Sequence, residues 1–118
     1  MPAQDRYGSG FTETVVASVA RTTSGDSGPL TSGWAAVETL RAQINVTAAA
    51  GTTPTLNVVI EDSLDGTNWN TIGTFAQKTA VSREVINVTT PFAGRVRIRW
   101  TVGGTTPSFT FDVIAYTE

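Results

Sequence analysis

Hydrophobic and polar residues alternate with a period of two along most of this chain. The clearest run carries Leu40, Ala42, Ile44, Val46 and Ala48 on one parity and polar residues on the other. Similar alternation recurs near residues 12–20, 56–60, 69–75, 82–89, 95–102 and 109–116. A period of two puts successive side chains on opposite faces of a strand. Each of these segments is therefore predicted to be a strand with one buried face.

Residues that favour turns separate the predicted strands. Segments 51–54 and 103–107 both contain Gly and Pro and predict turns, the second closing a hairpin. Asp65-Gly66 predicts a two-residue type I′ hairpin turn. Segment 21–33 predicts a loop, and a single helical turn is possible near 35–38. Seven or eight short strands with turns between them predict an all-β fold, an antiparallel β-sandwich of jelly-roll or immunoglobulin-like topology.

The last two predicted strands supply much of the expected core. The inward rows are Val96, Ile98, Trp100 and Val102 on one strand and Phe109, Phe111, Val113 and Ala115 on the next. Residues 1–11 lack alternation and predict an N-terminal arm, either ordered by a partner or simply a free terminus. Residues 12–118 are predicted to form a single β-sandwich domain.

Composition argues against catalysis. The chain has no His and no Cys, which removes the usual general base, the thiol nucleophile and the commonest transition-metal ligands. No buried Lys is apparent to activate a Ser or Thr nucleophile. We therefore expect no enzymatic activity, no cofactor and no metal site. A formal net charge of −2 gives no overall attraction to nucleic acid or membranes.

Three segments are candidate binding sites. The stripe Arg95, Arg97 and Arg99 fits either a partner interface or cross-strand pairing, with Asp112 as the expected partner. Residues 62–69 offer oxygen ligands for calcium, but the Asp-Gly turn explains them better. Trp34, after a Gly-rich loop, is the candidate platform for stacking on a sugar. Arg6, Tyr7 and Phe11 are the candidate partner contacts of the arm.

Two motifs carry a resemblance to known families. Residues 61–72 contain Ser63-Leu64-Asp65-Gly66-Thr67-Asn68-Trp69, which resembles the "S-x-D-G-x-x-W" hairpin of discoidin-type, galactose-binding-like jelly rolls. Residues 94–100 resemble the later "R-Y-V-R-I" strand of those domains. Discoidin-type domains usually run longer and carry ligand loops that this chain lacks. That departure argues against carrying over their binding of sugars or lipids.

The same pair of motifs is similar to small virion proteins of tailed phages, particularly actinobacterial ones. The matching run is "P-F-x-x-x-V-R-x-x-W-T-V-G-G-T-x-P-S-F-T-F" at residues 91–111, and the resemblance spans roughly 55–116. It implies a capsid decoration protein on the virion surface, made in the host cytoplasm. Its partners would be the major capsid protein and further copies of itself, a trimer being possible. A carbohydrate-binding module of a phage head or tail fibre is the alternative.

The N-terminus has no apolar run behind it, so no signal peptide is expected. No segment approaches the roughly 20 apolar residues that a membrane-spanning helix needs.

Overall fold

A computed structural model describes residues 11–30, 39–90, 92 and 95–117. Six strands make up one antiparallel sheet: β1 (Phe11–Arg21), β2 (Gly25–Asp26), β3 (Leu40–Ser63), β4 (Asn70–Thr74), β5 (Ser82–Val88) and β6 (Arg95–Thr117). The prediction of an all-β, antiparallel fold is confirmed. In these ranges no helix is long and apolar enough to cross a membrane.

Two long strands organise the sheet. β3 has 24 residues and β6 has 23, and they pair antiparallel from Leu40 opposite Thr117 to Ser63 opposite Arg95. β1 and β5 flank one half of this ladder, while β2 and β4 flank the other half. We call these the β1–β5 half and the β2–β4 half. In each half, one short strand pairs with the outer edge of β6 and another with the outer edge of β3.

The structure has fewer strands than predicted because two of the predicted turns are instead parts of continuous strands. Segments 51–54 and 103–107 lie inside β3 and β6, opposite each other, and form facing β-bulges in a continuous ladder. Each bulge has a Gly with φ near +110°, namely Gly51 and Gly104, and a Thr with φ of 46°, namely Thr53 and Thr106. Positive φ suits a bulge as well as a turn, so the Gly and Pro residues of these segments are compatible with both structures.

Both long strands bend between their halves. An extended 24-residue strand would span about 80 Å, but the longest dimension of the molecule is 44 Å. Trp100 from the first half of β6 meets Phe111 from the second half edge to face, with the ring centroids 5.8 Å apart. Residues on the two sides of the bulges therefore pack against each other around a common core.

The core follows the predicted inward rows closely. Leu56, Val58 and Ile60 are buried on β3, as are Val96 and Ile98 on β6. Phe109, Phe111, Val113 and Ala115 are also buried, and Trp100 packs partly buried against the same cluster. Ala48 is an exception, being exposed. A register shift between Val46 and Ala48 inserts Thr47 as an extra residue and reverses the parity of the strand beyond it.

The predicted loop 21–33 contributes to the sheet. Gly25 and Asp26 pair with Trp100 and Arg99, and Leu30 forms an isolated bridge to Val96. A Cβ on Gly25 would lie 3.1 Å from the Trp100 ring, so glycine leaves room for the indole. Segment 35–38, where a helical turn was considered, lies outside the described residues.

Candidate binding surfaces

The predicted arginine stripe lies on the β2–β4 half and surrounds a buried carboxylate. Arg97 Nε donates to Glu61 Oε1 at 2.8 Å, and Arg99 Nε donates to Glu61 Oε2 at 3.1 Å. The Glu61 side chain is only 6% exposed. Cross-strand register explains the arrangement, because Glu61 on β3 lies directly opposite Arg97 on β6. One carboxylate thus holds two of the three arginines.

The remaining contacts of the stripe are also intramolecular. Arg97 lies 3.8 Å from Asp26 Oδ2, and its guanidinium stacks 4.2 Å from the centroid of the Trp69 ring. Arg95 Nη1 donates to the carbonyl oxygen of Leu64 at 2.9 Å. The Arg99 side chain is 42% exposed and the Arg97 side chain 21%. The surface is a mixed-charge network, and its role as a partner interface remains a prediction.

The predicted pairing of this stripe with Asp112 is wrong. That prediction assumed a hairpin at 103–107, which would have folded Asp112 back beside the arginines. Because β6 continues through this segment without a hairpin, Asp112 lies beyond the bulge, opposite Asn45 in the β1–β5 half. Its Oδ1 atom is buried and accepts no hydrogen bond within the described chain.

The turn between β3 and β4 is organised by the side chain of Asp65. Asp65 Oδ1 accepts hydrogen bonds from the backbone N–H groups of Thr67 and Asn68, and Oδ2 accepts one from Asn68 Nδ2, each at 2.8 Å. The backbone N–H of Asn68, followed by that of Thr67, holds the pKa of Asp65 well below its ordinary value. Because residues 64–69 separate the two strands, the predicted two-residue type I′ turn does not form. Both Asp65 oxygens therefore accept hydrogen bonds from residues of the turn itself.

The other predicted contact residues fall mostly outside the described ranges. Arg6 and Tyr7 of the arm, and the candidate sugar platform Trp34, all lie there. Phe11, assigned to the arm, is the first residue of β1, and its backbone pairs with Thr117. Residue 11, the last residue of the predicted arm, therefore belongs to the sheet.

The structure also contains an ion pair between a buried lysine and a half-buried glutamate that the sequence did not suggest. Lys78, the only lysine of the chain, is 7% exposed, and its ammonium donates to Glu84 Oε1. The sequence pattern gave no sign that this lysine is buried. Backbone hydrogen bonds in both directions between Leu56 and Lys78, each 2.8 Å, hold the loop against β3. Glu84 Oε1 also accepts from Ala76 N at 2.9 Å, so the pair anchors this loop.

A second cation that the sequence did not suggest, Arg21 at the end of β1, packs against two aromatic rings of the core. The Arg21 guanidinium lies 4.8 Å from the ring centroids of both Trp100 and Phe111. It donates to the carbonyl oxygens of Ala17 at 2.8 Å and Val19 at 3.1 Å. Partial burial lowers the pKa of Arg21. Parity along β1 could not reveal this role, because the two rings come from β6.

No family model and no curated protein sequence matches this chain. Its fold is similar to several solved structures. The PBSX exported protein XepA matches with a TM-score of 0.63 and 16% identity, over 90% of this chain and 36% of XepA. The chain thus spans about a third of the length of XepA.

Two further structures match almost the whole chain. A chain of the T=1 particles derived from infectious bursal virus has a TM-score of 0.54 and 12% identity, covering 92% of this chain and 31% of the viral one. The CBM36-1 domain of a multidomain xylanase from the hindgut metagenome of Trinervitermes trinervoides has a TM-score of 0.52 and 12% identity. That match covers 92% of this chain and 96% of the domain. At these identities the matches establish a shared all-β fold.

Proposed function

We propose that this chain is a non-enzymatic virion structural protein, a capsid decoration protein that binds the outer surface of a phage capsid. It would act as a homo-oligomer on the major capsid protein and reinforce the contacts between capsomers. Its two sheet halves would be the layers of a β-sandwich of jelly-roll or immunoglobulin-like type. Binding only to the assembled shell stabilises that shell by mass action and requires no chemistry.

The observation that carries the proposal is the position of β1. This strand pairs with β6 on one side, and no other described strand pairs with it. An unpaired strand edge presents N–H and C=O groups that can pair with another chain. Because Arg21 already binds the carbonyls of Ala17 and Val19, the segment nearest the arm, residues 11–16, is the better placed to pair. Residues 1–10 immediately precede it.

Two further findings support a structural role. The Arg95, Arg97 and Arg99 side chains form a network with Glu61, Asp26 and the turn, as expected for a stable scaffold surface. The fold is shared with a chain of viral T=1 particles and with an exported protein of PBSX. Together with the motif resemblance over residues 55–116, these likenesses favour a virion over other settings for such a scaffold.

The test is co-sedimentation with capsids assembled from the major capsid protein of the encoding phage. We expect the full chain to pellet with the shells at a saturating stoichiometry, and the chain lacking residues 1–10 to stay in the supernatant. The double substitution Arg6→Ala and Tyr7→Ala should weaken binding, whereas Arg83→Gln on β5 serves as a control that leaves it unchanged. If the full chain does not pellet, or the truncated chain binds equally well, the proposal fails.

The alternative is a carbohydrate-binding or adhesion module of a phage head or tail fibre. It is favoured by the likeness to the CBM36-1 domain, which covers nearly all of both chains. In this reading Trp34 stacks on a sugar ring. Glycan-array binding that is lost in Trp34→Ala and kept in Trp69→Phe would support it, and an array without signal would exclude it.

A further inference from the structure

The sequence Gly-Thr-Thr-Pro occurs once in each of the two long strands. It spans residues 51–54 in β3 and residues 104–107 in β6. Each long strand is also the last of three consecutive strands, β1, β2 and β3 and then β4, β5 and β6. We call residues 11–63 the first repeat and residues 70–117 the second repeat. In an internal duplication β1 would correspond to β4, β2 to β5 and β3 to β6.

The register of the long ladder obeys this correspondence. Thr52 pairs with Thr105, its own counterpart, at the centre of the ladder. Around this centre, each pair between β3 and β6 is matched by a pair between the two counterpart positions: Ala49 with Phe109 and Leu56 with Val102, Val46 with Phe111 and Val58 with Trp100, Ile44 with Val113 and Ile60 with Ile98. Such matching is expected when a two-fold axis passes between two identical strands.

The flanking strands follow the same two-fold relation. β1 and β2 pair with β6, as their counterparts β4 and β5 pair with β3. The pairing of β4 is irregular between Ile60 and Glu61. The pairing of β1 is irregular opposite the counterpart positions, Val113 and Ile114. The two repeats therefore correspond in all their strands, including the place where the pairing is interrupted.

The core and the two unexpected cations fit the same relation. Counterpart positions of the long strands are buried in both repeats: Leu56 and Phe109, Val58 and Phe111, Ile60 and Val113, Ile44 and Ile98. Lys78 bridges to Leu56, and Arg21 pairs with Phe109. Because Leu56 and Phe109 are counterparts, the two cations occupy equivalent places in the two repeats. One relation thus accounts for both.

Every strand pairing among the described residues joins one repeat to the other. β1 and β2 of the first repeat pair with β6 of the second, β4 and β5 of the second pair with β3 of the first, and β3 pairs with β6. The isolated bridges Leu30–Val96 and Leu56–Lys78 also cross between the repeats. Each repeat supplies the strand partners of the other, as the subunits of an intertwined two-fold dimer do.

We propose that each repeat can bind the complementary repeat of a second copy of this chain, so that two copies exchange repeats and form a dimer. The dimer would contain two complete β3–β6 ladders, each with one strand from either copy. It would keep the pairings of the closed chain and differ from it at the connection, residues 64–69. Exchange of identical contacts is a low-cost route to a dimer.

The exchange depends on protein concentration and not on a capsid. A short connection holds its two ends at an effective concentration on the order of mM. Separate chains compete with closure when they fold near that concentration. The inference goes beyond capsid binding, because it requires only a second copy of the chain, and it gives the proposed homo-oligomer a structure.

The first test removes residues 64–69 from the full chain. Ser63 alone then separates the paired residues Asp62 and Asn70, whereas an antiparallel hairpin needs a connection of about two residues. The closed arrangement cannot form, but exchange with a second copy can. Light scattering after size exclusion should give the mass of a dimer, with a cooperative urea transition. The matched control replaces residues 64–69 by a Gly/Ser segment of equal length, which permits closure.

Two introduced cysteines report whether a ladder joins one chain or two. Thr52 and Thr105 are exposed and face each other, and the chain has no cysteine of its own. Facing Cα atoms in an antiparallel pair are about 4.5–5.5 Å apart, within the reach of a disulfide. In the double variant Thr52→Cys/Thr105→Cys, oxidation should link one chain internally when it is closed and two chains when they have exchanged. A non-reducing gel separates the two products.

We expect nearly all of the disulfide to lie between chains in the deletion variant, and within single chains in the Gly/Ser control oxidised when dilute. The double variant with its natural turn, refolded from urea at about 1 mM, should give severalfold more interchain disulfide than at roughly 10 µM. The single variant Thr52→Cys measures disulfides that form by chance collision and should give few covalent dimers at either concentration.

Three outcomes would overturn the proposal. One is a folded deletion variant with the mass of a single chain. Another is a dimer of that variant whose disulfides lie within single chains, because a different surface would then hold it together. The last is a double variant with its natural turn that gives no more interchain disulfide than Thr52→Cys, and this result decides the case if the deletion variant does not fold. No capsid is present in these experiments, so their failure is distinct from a failure of capsid binding.

Discussion

Replacing either central glycine, by Gly51→Ala or Gly104→Ala, should destabilise the protein strongly. The two glycines face each other's strand at the bulges, with φ of +113° and +109°. A Cβ on Gly51 would lie 2.8 Å from the carbonyl oxygen of Thr106, and one on Gly104 would lie 2.7 Å from that of Thr53. Both obstacles are backbone atoms of a paired strand, so no side-chain rotation can relieve them.

The expected loss has two parts. Holding a residue with a side chain at such a φ costs about 1–3 kcal/mol. Forcing a methyl group into a packed backbone contact costs a further ~1–3 kcal/mol. The lower entropy of the unfolded alanine chain returns about 0.4–1 kcal/mol. The net loss is about 1–6 kcal/mol, against the ~5–15 kcal/mol that stabilises a typical domain.

Urea unfolding followed by tryptophan fluorescence measures this loss, with Gly28→Ala as the control. Gly28 has φ of +71°, but a Cβ there would have nothing within 4 Å, so this variant pays only the dihedral cost of about 1–2 kcal/mol. Both central variants should lose more than the control, and by similar amounts. If either is no less stable than Gly28→Ala, the two bulges do not approach each other as described.

Three further predictions test the surfaces and the buried charges. Glu61→Gln should lower the free energy of unfolding in urea by about 1–3 kcal/mol, because Arg97 and Arg99 share this carboxylate; Arg99→Gln should cost less, and equal losses would contradict the shared pairing. Asp65 has a lowered pKa in the folded state, so its contribution is complete above the ordinary aspartate pKa of about 4 and is lost as pH falls below it. Asp65→Ala should therefore flatten the acid limb of the stability curve, and an unchanged limb would count against the turn network. Lys78 should resist amine acylation in native protein and react in urea, as peptide mass spectrometry would show; native reactivity equal to that of the N-terminus would contradict its burial.

Period-two patterning was enough to predict the strands and most of the core. Inward rows such as Leu56, Val58 and Ile60 are buried as expected, because strand parity depends only on neighbouring residues. The segments Gly-Thr-Thr-Pro at 51–54 and 104–107 were misread as turns, since Gly at positive φ and a following Pro suit either a turn or a bulge. Only the alignment of the two identical segments across the ladder reveals that they face each other.

The sites were harder to predict because they depend on which strands are neighbours. Parity correctly put Arg97 and Arg99 on an outer face, but their partner Glu61 lies more than 30 positions away and becomes a neighbour only through the β3–β6 register. The expected partner, Asp112, followed from a hairpin that does not form.

The central claim, a structural role on a virion, is tested most directly by quantitative mass spectrometry of purified particles of the phage that encodes this chain. The account predicts peptides of this chain at a fixed, high copy number relative to the major capsid protein, retained through density-gradient purification. It also predicts that particles carrying the chain without residues 1–10 lose it. Absence of the chain from infectious particles would contradict the account.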